Sequence, residues 1–81
     1  MLLKCTRENE TTYYIPSHIQ KITISAVYGR EDCFDVSLEV AGQLEIIRMF
    51  DSEIEAEKYV QELYQMILTG KENNSIVDLN K

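Results

Sequence analysis

The chain is short of the residues that chemistry most often uses. Its 81 residues include no tryptophan, one histidine, one proline, two cysteines and three glycines. Catalytic sites need convergent reactive groups with shifted pKa values. A single imidazole, His18, leaves few ways to build one. A nucleophile would have to come from Cys5 or Cys33 paired with His18, and nothing in the spacing joins them. The two thiols are 28 positions apart and form no C-x-x-C pair, so zinc spacing is absent. Both are expected to be reduced packing residues. The three glycines, Gly29, Gly42 and Gly70, fall at turn or cap positions, and no glycine-rich phosphate loop exists. No metal and no cofactor are expected. The chain is read as non-enzymatic.

Basic charge is also scarce. Eight Lys and Arg stand against fourteen Asp and Glu, a formal net charge of −6. Lys4, Arg7, Lys21, Arg30, Arg48, Lys58, Lys71 and Lys81 are scattered singly. Phosphate-backbone contacts need clustered basic residues, so direct nucleic-acid binding is disfavoured. Long apolar runs are missing as well. Nothing approaches the roughly 20 residues that span a bilayer, and Met1-Leu2-Leu3-Lys4 lacks the apolar core of a signal peptide. A cytoplasmic protein without membrane contact is expected.

What is present is a globular balance, 44% hydrophobic and 27% charged, in a length that fits one small domain. Residues 2–7 alternate weakly, with Leu3 and Cys5 on one side. Thr11 to Ile15 are β-branched and aromatic, which suits a pleated surface. With the polar Glu8-Asn9-Glu10 between them, the two segments predict a hairpin. Pro16 stops the second strand. A short helical corner follows, with Ile15, Ile19 and Ile22 turned to the core. Residues 21–28 predict a strand with Ile22, Ile24, Ala26 and Tyr28 on one face. Gly29 to Asp32 make the turn. Residues 33–40 alternate most cleanly, Phe34, Val36, Leu38 and Val40 against polar neighbours. Ala41-Gly42 connects tightly to a strand over 43–50, with Leu44 and Ile46 expected inward. The alternation slips at Ile46-Ile47, which predicts either a β-bulge or cover on both faces.

A helix is expected from residues 51–52. Ser52-Glu53-Ile54-Glu55 fits a capping box, and Glu53, Glu55 and Glu57 favour the positive helix end. Ala56, Val60, Leu63 and Ile67 form one stripe, flanked by Tyr59 and Tyr64. Gly70 is placed as the C′ residue. The expected fold is α+β: about five short, mostly antiparallel strands in a small sheet, with one long C-terminal amphipathic helix across one face. Residues 1–70 form the domain. Residues 71–81 form a tail that ends as a short strand or an interface arm.

Three functional expectations follow. The first is a small binding or adaptor protein that acts through protein contacts, as a homo-oligomer. Its interface candidates are Ile47, Met49, Tyr13, Tyr14, Ile76, Val77 and Leu79. Tyr13 and Tyr14 are adjacent in a strand, so at most one enters a single-sided core. The second is a small-ligand binder, for example of a nucleotide, at an oligomer interface. Arg7, Tyr28, Arg30, Arg48 and His18 are its candidate contacts, with the strand tyrosines, because aromatic faces stack on bases and arginine pairs with phosphate. The third is an acidic mimic of nucleic acid built from Glu53, Glu55, Glu57, Glu62 and Glu72.

Overall fold

The computed structural model describes residues 1–69 and 76–80. The element order is β1 (Leu2–Arg7), β2 (Glu10–Tyr14), a 3-10 turn (Pro16–His18), β3 (Ile19–Ala26), β4 (Phe34–Val40), β5 (Gln43–Phe50), α1 (Glu53–Thr69) and β6 (Ile76–Asp78). The class is α+β. The single sheet expected from the sequence is replaced by two sheets of three strands. Sheet A has the order β2-β1-β6 and sheet B the order β3-β4-β5.

The division has a local cause. Pro16 follows β2 and opens the 3-10 turn, so the chain turns away before β3 begins. The other edge of β1 is taken by β6, which pairs with it in parallel: Leu2 with Ile76, Leu3 with Val77, Lys4 with Asp78. The Leu79 N–H donates to Lys4 O at 2.8 Å. The Asn80 side chain then continues the ladder, accepting from Thr6 N–H at 2.7 Å and donating to Thr6 O at 3.1 Å. The end of the described chain is thereby bound to its beginning.

One core joins both sheets and the helix. It contains Leu3, Cys5 and Tyr14 from sheet A, Val36, Leu38 and Ile47 from sheet B, Ala56 and Leu63 from α1, and Leu79. Of the expected helix stripe, Ala56 and Leu63 are buried while Val60 and Ile67 pack at its margin. The Ser52 hydroxyl accepts the Glu55 N–H at 3.1 Å, which is the N-cap bond the sequence predicts. Gly70, Glu72 and the Asn73-Asn74-Ser75 turn lie outside the described residues.

Two strand expectations are corrected. Tyr28 does not lie on β3, which ends at Ala26. It stands fully exposed in the β3–β4 loop. Leu44 and Ile46 face outward, not inward. The reason is the hairpin loop. Ala41 and Gly42 have φ of 53° and 80°, a two-residue turn with both central residues left-handed. It pairs Val40 with Gln43. Val40 lies on the core side, so Gln43 shares that side by register, though exposed at the start of the strand, and Leu44 and Ile46 take the other.

Candidate functional site

The surface that stands out is the outer face of sheet B. Cross-strand partners share a face, so register defines it. Lys21, Glu39 and Leu44 lie abreast across β3, β4 and β5. Thr23, Ser37 and Ile46 follow, then Ser25, Asp35 and Met49. Thus β3 and β4 present a polar floor and β5 an apolar border. Leu44, Ile46 and Met49 are 59%, 51% and 49% exposed, whereas Ile47 between them is 4% exposed.

A bulge produces this pattern. Val36 pairs with Arg48 and Ser37 with Ile46, which leaves Ile47 as the extra residue of β5. Ile47 turns inward by the alternation that starts at Gln43, and the extra residue keeps Arg48 on the inward side and returns Met49 to the face of Ile46. Glu45 and Arg48 therefore lie on the inward side of β5, and each has a partner. Glu45 accepts from the Tyr14 hydroxyl at 2.9 Å. Arg7 reaches across from β1 and donates to Tyr14 Oη at 2.8 Å, Ile46 O at 3.0 Å and Thr12 Oγ1 at 3.2 Å. Arg48 lies 5.2 Å from both the Phe50 and Tyr59 ring centroids and donates to Leu79 O. Tyr59 donates to the same carbonyl at 2.9 Å.

These contacts bear on edge pairing. β5 is an edge strand, and an open edge invites another strand. Here the Ile46 carbonyl accepts from Arg7 and the Ile47 carbonyl from the Cys5 thiol at 3.8 Å. Side chains of β1 occupy the middle of that edge, so the face of β5 is the open feature. On the polar floor, Asp35 Oδ1 is buried without a hydrogen-bond partner.

Among the interface candidates, Met49, Tyr13 and Ile76 are exposed. Ile47, Tyr14 and Leu79 are core residues instead, and Val77 packs against that core. Among the ligand candidates, Arg7 and Arg48 are engaged inside the chain as described. Arg30 lines a different cleft, beside Cys33 and Asp51, from the one lined by Arg48 and Tyr59. Tyr28 projects from the β3–β4 loop and His18 closes the 3-10 turn. Tyr28 and Arg30 share the β3–β4 loop, while Arg7, His18 and Arg48 stand on β1, the 3-10 turn and β5.

Cys5 and Cys33 are both buried and His18 is exposed. Burial raises the Cys5 thiol pKa, which Arg7 only partly offsets, and a raised pKa disfavours the thiolate a nucleophile requires. Among the described residues, no three or more His, Cys, Asp or Glu side chains gather as metal ligands. None of the described helices is long and apolar enough to cross a membrane. The acidic helix residues diverge: Glu53 and Glu57 lie on one flank by helical periodicity, Glu55 and Glu62 on the opposite one.

Sequence reasoning missed the Arg7–Tyr14–Glu45 link and the outward stripe of β5. The available signal was the length of the Ala41-Gly42 loop, because two residues between strands dictate which side chains share a face. Comparison with family models, with curated proteins and with solved structures gives no match.

Proposed function

We propose that the protein is a non-enzymatic binding module whose working surface is the outer face of sheet B, and that its partner is a different protein carrying basic side chains beside apolar ones. The observation that carries this reading is the Leu44–Ile46–Met49 stripe bordering a floor with Asp35 and Glu39. Exposed apolar area rimmed by polar groups is the usual mark of a contact surface.

Charge argues for the kind of partner. A second copy laid on this face about a central two-fold meets itself badly. An axis across the strands sets Glu39 against Asp35 of the second copy. An axis along β4 sets each carboxylate against its own equivalent. A basic partner avoids both repulsions. The net charge of −6 steers such a partner toward the molecule.

The test is affinity capture from an extract of the source cells with three baits: the natural chain, Ile46→Glu and Asp35→Asn. A basic protein held by the natural chain, lost with Ile46→Glu and released at lower salt from Asp35→Asn is the expected result. Identical captured sets on the natural and Ile46→Glu baits, with both folded by circular dichroism, overturn the reading.

A further inference from the structure

A second open face lies on the other sheet, and its charges are arranged differently. Leu3, Cys5 and Tyr14 of sheet A point into the core, so their neighbours point out. On that outer side Leu2 lies beside Ile76 and Lys4 beside Asp78, because β1 and β6 run parallel in register. Tyr13 opposes Lys4 from β2. Ile15, still extended at φ −90° and ψ 115°, continues the outward phase of Tyr13. Leu2, Tyr13, Ile15 and Ile76 are all exposed. At their margin a cleft of about 430 Å³ is lined by Met1, Ile15, Pro16, Ser17 and Ile67.

We infer that the occupant of this face is a second copy of the chain, which makes the protein a two-fold homodimer through sheet A. The argument is charge complementarity under symmetry. A two-fold interface is self-complementary: if one residue meets another, the reverse contact also forms. An axis along the β1–β6 ladder exchanges the two strands. Leu2 then stacks on Ile76 of the second copy, and Lys4 on its Asp78. Each contact occurs twice. The side-by-side placement of one cation and one anion is what makes the face match itself. Stacked faces bring such side chains together at the roughly 10 Å spacing of packed sheets. The apolar pairs supply the burial, and the charge pairs select the register.

The inference does not rest on the proposed function, since the two faces belong to different sheets. Its test is solution mass by light scattering over a concentration series, with circular dichroism as the control for folding. The natural chain is expected as a dimer, and Ile76→Glu and Leu2→Glu as folded monomers. Lys4→Asp alone and Asp78→Lys alone each place like charges across the interface and are expected to be monomeric. Mixed in equal amounts they restore opposite charges between chains, and a mixed dimer is expected. An effect of these charges within one chain would not be rescued by mixing. A monomeric natural chain at every concentration overturns the inference. So does a mixture that stays monomeric, or a folded Ile76→Glu variant that dimerises like the natural chain.

Discussion

Tyr14 shows how one side chain acts in two ways at once. Its ring fills the core while its hydroxyl accepts from Arg7 on β1 and donates to Glu45 on β5. Removing the hydroxyl leaves two partly exposed charged groups that water can reach. Tyr14→Phe is therefore expected to cost only about 1–2 kcal/mol in chemical denaturation. Alkaline pH should act on the same residues. Burial raises the Tyr14 pKa, with Arg7 opposing it, and burial likewise raises that of Tyr59, with Arg48 opposing. Folding thus favours the neutral phenols. Their contribution is complete below the unfolded tyrosine value of about 10 and is lost as pH rises through the folded values. Cys5 adds to this loss, in a window starting somewhat lower, because its thiol is raised too. A urea midpoint that falls above about pH 9 in the natural chain, and less steeply in Tyr59→Phe, is the expected result. Ala41 makes the opposite kind of prediction. A non-glycine residue at φ 53° carries strain that asparagine tolerates better. Ala41→Asn is expected to stabilise by about 0.5–1 kcal/mol.

At the scale of the element, the strand phase set by the Ala41-Gly42 turn separates two adjacent isoleucines of β5 into different roles. Ile47 belongs to the core and Ile46 to the outer face. Ile47→Ala is expected to cost about 2–4 kcal/mol, by lost burial and the cavity left behind. Ile46→Ala is expected to change stability by no more than about 0.5 kcal/mol. Comparable costs at both positions would rule out this assignment of faces. The helix is the element most legible in advance. Its cap at Ser52 and its stripe through Ala56 and Leu63 are both local patterns at the helical period. The strand phase of β5 was less legible. An apolar pair at Ile46-Ile47 marks a slip without saying which member turns inward, and only the parity imposed by the Ala41-Gly42 turn decides it.

For the whole molecule, the closure of β6 on β1 is the decisive feature. Leu79 is fully buried, and its carbonyl takes bonds from Tyr59 and Arg48. Leu79→Ala is expected to cost about 2–5 kcal/mol, which is a large fraction of the stability of a small domain. The measurement is thermal or urea unfolding against Asn80→Ala, which loses the bonds to Thr6 but little burial. The joining of distant segments also explains why the architecture was only partly readable. A three-residue strand such as Ile76–Asp78 has too little length for periodicity to identify it. Its partner is more than seventy positions away.

Composition and local pattern by themselves determined the α+β class, the helix with its cap, the β1–β2 and β4–β5 hairpins and the scarcity of catalytic groups, because each depends on residues close together in the chain. Tertiary structure alone decided the division into two sheets, the return of Met49 to the outer face and the burial of Tyr14 and Leu79. Those depend on which surfaces meet. Two sheets and one helix share a single core, and the face each strand commits to that core is settled only when the others are in place.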